Sequence, residues 1–325
     1  MQPFSANFAS VDSAAELLED SHVLALIEFG GGGRRDADPR RITVDLPQLG
    51  PCPLVEVWRS ETPVVSGTRG PVSYSKNEQV LLGHLSVDER DYASLEEASR
   101  EAYETILPFA RDMGFPHYLR IWNYIPDING EVDGVERYKR FCMGRHTGLE
   151  KFVLPENRLP AASGVGSPSD EILVYFLAAR DAGTQLENPR QVSAYRYPPQ
   201  YGPKSPAFSR AMVKDWGADK HLYISGTASI VGHESRHRDD VVPQLTETLR
   251  NMSTLVQNAE SEHGVAIGSL ADLSQLKVYV RDEQDHELIR EHMDDLLGED
   301  VPVIYLGGDL CRKNLLVEIE GLYAG

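Results

Sequence analysis

Apolar and polar positions fall into two regimes along the chain. Up to about residue 65, short apolar runs (HVLALIEF, ITVDL, LVEVWRS) read as strands cut by loops. From Val72 onward, strand-like runs alternate with longer amphipathic ones. VSYSKNEQVLLGHLS predicts a hairpin. SLEEASREAYETILPFARDM, residues 94–113, predicts a helix with Ser94 as its cap and Glu97 three residues later, the capping-box spacing. HYLRIWNYI predicts a strand, GVERYKRFCMGRHTGL a second helix, and EILVYFLAA, residues 171–179, a buried strand. The order then recurs. HLYISGTASIVG is a hairpin candidate, DDVVPQLTETLRNMSTLVQNAE (239–260) a helix, SLADLSQLKVYVR a strand, DEQDHELIREHMDDLL a helix and NLLVEIEGLY the last strand. This is a structural repeat of α+β layers, each a sheet with helices on one face. The helix-free faces must be covered, and two halves packed together would cover them.

Residues 180–218 show no period and are rich in Pro, Tyr, Arg and Ser. Their aromatics argue for an ordered loop laid over a site. The expected organisation is an N-terminal β-rich extension (1–70), a first half (71–180), an active-site loop (181–218) and a second half (219–325).

The last strand poses the sharpest question. In GGDLCRKNLLVEIEG, alternation puts Leu315, Val317 and Ile319 on one face and Leu316, Glu318 and Glu320 on the other. The acid face meets water or lines a pocket, and spacing alone leaves both open.

Composition narrows the choice. The chain has 325 residues, 41% hydrophobic and 25% charged, enough for a core without disulfides. Three scattered cysteines suit reduced thiols in a cytosol. No apolar run approaches a membrane span, and the start lacks signal-peptide character, so a cytoplasmic protein is expected. A net charge of −18 repels nucleic acid and anionic membranes; a small anionic substrate would need a local arginine cluster. The glycines at 30–33 with Arg34 and Arg35 lack a P-loop ending and read as a surface loop. His233 and His237 lack a third ligand at metal spacing and read as charged residues before a helix. Cys142 reads as a small buried hydrophobe, and Cys52 has no assigned role. No nucleotide fingerprint is present, so no cofactor and no metal are expected.

YISGTASIVGHESRHRDDVVPQLTETLRNMSTLVQ, with LVEIEGL near the end, resembles the RidA/YjgF family over about a third of the chain. The arginine that imine-hydrolysing members carry on the penultimate strand is missing from VPVIYLGGDL. A resemblance over nearly the whole chain is carried by YLRIWNYIPDING, ERYKRFCMGRHTGL, ENPRQVSAYRYPPQYGPKSPAFSRA and SGTASIVGHESRHRDD. These look like the chorismatase family, whose members are two RidA-like (chorismate mutase-like) β-α-β-α-β halves with an N-terminal extension. The resemblance implies chorismate as substrate and pyruvate as product. Hydrolytic members make a dihydroxycyclohexadienoate, and 3-hydroxybenzoate synthases aromatise the ring. In the synthase type a cysteine precedes the catalytic glutamate, and Cys311 and Glu318 match that pattern. The family's substrate-contacting residues match Tyr138 and Arg145 on the second helix and Tyr197 and Arg210 in the central loop, with Tyr201 and Lys204 nearby. The resemblance leaves a monomer and a homotrimer both open, and a non-enzymatic small-molecule sensor is the rival of another class.

The residue types suit that chemistry. Breaking an enolpyruvyl ether by protonating its methylene needs a carboxyl whose pKa burial raises so that it keeps its proton, and a glutamate among Leu and Val on a strand is placed for it. Glu320 is a second candidate by alternation. Two substrate carboxylates call for arginine forks. Tyr138 and Arg145 are seven apart, two helical turns, and share a face.

Overall fold

A computed structural model describes residues 3–30, 37–152 and 154–324. The Gly31–Gly33 and Arg34–Arg35 run lies outside them. Three sheets carry the fold. The extension forms a four-stranded sheet in the order Ser5–Ser10, Leu54–Arg59, Val23–Phe29, Arg41–Val44, with the short helix α1 (Ala14–Glu19) beside it. The first half is a six-stranded sheet backed by α2 (Leu95–Asp112) and α3 (Arg137–Lys151). The second is a seven-stranded sheet backed by α4 (Val241–His263) and α5 (His286–Leu297). Within it, Lys220–Ala228 pairs antiparallel with Val317–Ala324, which pairs antiparallel with Gln275–Val280. The extension lends this sheet its edge, since Gln48–Leu49 pairs with Tyr305 and Leu306. No helix of the described residues is long and apolar enough to cross a membrane.

Local chemistry explains the helices. Ser94 Oγ accepts from the Glu97 amide (3.2 Å) and the Glu97 carboxylate accepts from the Ala93 amide (3.1 Å), so α2 starts where its cap spacing places it. Leu95, Ala98, Ala102 and Ile106 form its buried face, and Gly264, at φ +62°, closes α4 in the left-handed region.

The α+β repeat and the two packed halves are present, and the helix-free faces are covered as expected. Phe4, Leu24 and Trp58 of the extension, Leu119, Trp122 and Tyr175 of the first half, and Tyr223, Tyr279 and Leu322 of the second share one core.

Four element readings change. The second helix begins at Arg137, because Asp133 and Gly134 take positive φ and turn a small ribbon between Glu131–Val132 and Val135–Glu136. Ala161–Ser167 is a strand, parallel to His117–Pro126; its small residues (AASGVGS) carry no alternation to read. The central segment is not all loop. Thr184–Leu186 and Ala211–Asp215 are strands, and Ala211–Asp215 is the true hairpin partner of Lys220–Ala228. The last strand starts at Val317, so Leu315 and Leu316 precede it and alternation holds only from Val317 on.

Candidate active site

Val317 and Ile319 pack under α4, which turns Glu318 and Glu320 toward the space between the halves. Both acids are buried, at 4% and 3% exposure, so the solvated-face reading fails. Their surroundings differ. Glu320 accepts from Arg120 Nη2 (2.8 Å), Trp122 Nε1 (2.7 Å) and Ser163 Oγ (2.5 Å), and Lys277 Nζ lies at 3.2 Å. Burial alone would raise its carboxyl. The Lys277 and Arg120 charges, with the Ser163 and Trp122 hydrogen bonds, hold it below the ordinary value. Glu320 is therefore a fully tied carboxylate, not a free acid.

Glu318 has no ion-pair partner among the described residues. Burial first, and then the Glu320 charge, push its carboxyl up to about 8 against the pull of Arg120, Arg210 and Arg281. It lies opposite Ala228 and Tyr279 in register. Gly226 makes room for it: a Cβ there would stand 2.1 Å from Glu318 Oε1 and 2.9 Å from Ser163 Oγ. Gly226→Ala should displace the carboxyl and lower turnover about a hundredfold, as misplaced catalytic groups do, while the chain still folds. Turnover assays with a thermal melt check this; an unchanged rate would show that the carboxyl tolerates the shift.

Cys311 and Arg312 lie on the loop between the last two strands. This loop docks on the first half, with Leu310 bridging to Val165 and the Gly166 amide donating to Asp309 O (2.7 Å). Arg281 braces it by pairing with Asp309 and donating to Leu315 O (2.7 Å) and Arg312 O (3.0 Å). Gln244 of α4 donates to Asn314 O (2.9 Å) and accepts from the Leu316 amide (2.8 Å). Burial, then the neighbouring Glu318, push the Cys311 thiol up to about 12, so it stands as a neutral thiol.

One cavity of about 320 Å³ gathers Tyr138, Tyr197, Arg210, Cys311 and Glu318. Arg210 Nη2 donates to Tyr197 Oη (2.7 Å) and Val192 O (2.9 Å), and its buried Nε makes no hydrogen bond among the described residues. Arg145 does not line this cavity. It is buried on α3 with its guanidinium 5.1 Å over the Tyr103 ring, and its Nε and Nη2 make no hydrogen bond among the described residues. Tyr201 lines the cavity and contacts His233 Nδ1 (3.1 Å). Lys204 points elsewhere, 2.9 Å from His146 Nε2. His237 lies 3.5 Å from Glu247.

Sequence reading missed Arg312, whose guanidinium lies 4.1 Å over the Tyr201 ring and 5.2 Å from that of Tyr197 while lining the cavity. Its place beside Cys311, just before the acidic strand, was the available signal. Ser163 and Gly226 were missed because small residues near an acid carry no pattern of their own.

Two packed α+β halves with a cavity at their junction, lined by a buried carboxyl, a thiol, arginines and tyrosines, define the class of fold and site. A family model described as chorismatase FkbO/Hyg5-like, N-terminal, matches residues 56–178, and the chain is 36% identical over 280 residues to a 3-hydroxybenzoate synthase of Streptomyces hygroscopicus, covering 83% of this chain and 81% of that protein. The chain belongs to the chorismatase family. A chorismatase of Streptomyces hygroscopicus is 36% identical over 319 residues, 95% of this chain and 91% of that one. A crystal structure of a chorismatase at 1.08 Å matches with a TM-score of 0.90 and 34% identity, over 99% of this chain and 98% of the other.

Proposed function

We propose that the protein converts chorismate to pyruvate and 3-hydroxybenzoate, with Glu318 as proton donor. The observation that carries this is a buried carboxyl, pushed up to about 8, in a cavity shared with Arg210, Arg312, three tyrosines and a thiol. A carboxyl of that pKa is still an acid at neutral pH.

Glu318 protonates the enolpyruvyl methylene, and the ether carbon becomes an oxocarbenium centre. The ring carbon–oxygen bond then breaks and its electron pair completes the keto group of pyruvate. The adjacent ring hydroxyl attacks the carbon that pyruvate leaves, forming an arene oxide, and its proton returns to the Glu318 carboxylate. Opening of that oxide with loss of the ring proton gives 3-hydroxybenzoate. No water enters, so chorismate divides into pyruvate and 3-hydroxybenzoate alone. Arg210 and Arg312 hold substrate carboxylate from the cavity, and Arg145, buried on α3 outside it, adds its positive charge at longer range.

Cys311 serves in this reading as a neutral thiol beside the ring. It fills the volume a hydrolytic water would need and hands a proton during oxide opening; its raised pKa argues against a resting thiolate nucleophile. Hydrolysis of the same ether is the competing outcome. In it water attacks the oxocarbenium carbon and both ring oxygens remain on the dihydroxycyclohexadienoate.

The test is chorismate with the purified protein, pyruvate followed by lactate dehydrogenase and NADH, and products separated by chromatography. Parent protein should give 3-hydroxybenzoate with one pyruvate each. Cys311→Ala should move a large share of product to the dihydroxycyclohexadienoate. The parent's product ratio at the parent's rate would reduce Cys311 to packing, and no pyruvate from the parent would remove both enzyme readings.

A further inference from the structure

Four of the charges buried between the sheets pair off without Glu318. Glu56, on the extension strand Leu54–Arg59, accepts from Lys277 Nζ (2.7 Å), Trp58 Nε1 (2.9 Å) and the Gln275 side-chain amide. Lys277 also lies 3.2 Å from Glu320 and donates to Tyr175 Oη (3.0 Å), and Arg120 pairs with Glu320 at 2.8 Å. Two carboxylates thus face two cations. All four are nearly inaccessible: Glu56 at 0%, Arg120 at 2%, Lys277 and Glu320 at 3%.

Glu318 is a third carboxyl at the edge of this closed set. Tyr279 faces it across the strand pair, and Tyr138 and Cys311 share its cavity. The other charges acting on it are committed. Arg210 is bonded to Tyr197 and Val192, and Arg281 to Asp309 and the 309–315 loop. Arg120 is turned to Glu320 and to Ser163 Oγ (2.6 Å). Ser163 Oγ in turn donates to Glu320 and accepts from the Gly226 amide (3.0 Å), so the same serine holds both the carboxylate and the glycine under Glu318.

We propose that Glu56, Lys277, Glu320 and Arg120 form a charge-balanced quartet that positions the proton donor, occupying both of its cations so that neither is left to pair with Glu318. The extension is then part of the catalytic apparatus through Glu56, a positioning residue that does not line the cavity. This rests on Glu318 being the proton donor.

Removing one acid from the quartet leaves a cation in excess, and an excess cation favours the Glu318 carboxylate. For Glu320→Gln, and to a smaller extent for Glu56→Gln, the high-pH fall in kcat/KM should move down, by about one pH unit or more in Glu320→Gln. Glu56→Asp, which keeps the charge, should keep the parent's limb. Thermal midpoints are recorded in parallel. Lower midpoints with every limb at the parent's position would make the quartet merely structural and overturn the proposal. A readout without turnover is the carboxyl band in infrared difference spectra of the parent against Glu318→Gln. A protonated band persisting through neutral pH supports the quartet's role. Its loss near the ordinary carboxyl range overturns the proposal even if the quartet variants do not fold. Full activity of Glu318→Gln would instead remove the proton-donor reading itself, a separate and distinguishable failure.

Discussion

Glu318→Gln is expected to lose about a hundredfold to ten-thousandfold of turnover on chorismate, the usual range for a missing general acid, and to gain stability. The two effects have one cause. An amide fills the carboxyl's place but has no proton to give. It also escapes the burden of the acid. Glu318 titrates near 8 in the folded chain against an ordinary 4.5, so between those values the unfolded chain releases a proton that the folded chain retains. Folded stability contributed by this group is full below about 4.5 and falls as pH rises toward 8. Glutamine has no such dependence. At pH 7 the variant's advantage is about 3 kcal/mol, from 1.36 kcal/mol per pKa unit, and it should vanish near pH 4.5. Pyruvate release, with urea melts at pH 5 and 7, checks both arms. Parent-like turnover would reject the role of Glu318.

Arg210→Ala is expected to lower kcat/KM by roughly 2–5 kcal/mol, about thirtyfold to several thousandfold, the range for truncating a buried hydrogen-bonded charge. Arg210 is 4% exposed, lines the cavity and leaves its Nε without a partner among the described residues. Its loss also strands the Tyr197 hydroxyl it bonds. Arg210→Lys should not restore activity, because an ammonium cannot reproduce the fork that meets carboxylate, tyrosine and backbone together. Arg145→Ala should weaken substrate affinity in the same sense. Lys204→Ala, turned toward His146, should leave the rate within about threefold, as surface changes do. Steady-state kinetics of the four variants separate these cases. Parent-like constants for Arg210→Ala and Arg145→Ala would make both ordinary structural arginines.

How much of this was legible follows from the range over which each signal acts. The helices were readable because caps and apolar stripes are local: Ser94 and Glu97 bond each other's neighbourhood within one turn. The alternation of VEIE put Glu318 and Glu320 on one face, but two acids on a face look alike whatever covers it. Their divergence comes from Arg120, Lys277 and Ser163, each more than forty positions away. The strand Ala161–Ser167 was invisible because alanine, serine and glycine give no hydrophobic contrast, though it carries Ser163. Ala211–Asp215 was hidden because it follows directly on the Pro- and Tyr-rich segment that has no period of its own. Glu56 looked like one polar position in LVEVWRS. Only the packing of the extension against Gln275–Val280 shows it facing Lys277.

The central claim is that Glu318 acts in its protonated form, and the pH dependence of kcat/KM for pyruvate release from chorismate tests it most directly. With the carboxyl held up by burial and by Glu320, the profile should stay high through neutral pH and fall above about 8, following a single deprotonation. A fall centred near the ordinary carboxyl value of 4.5, or a rate that rises through pH 8, would contradict it.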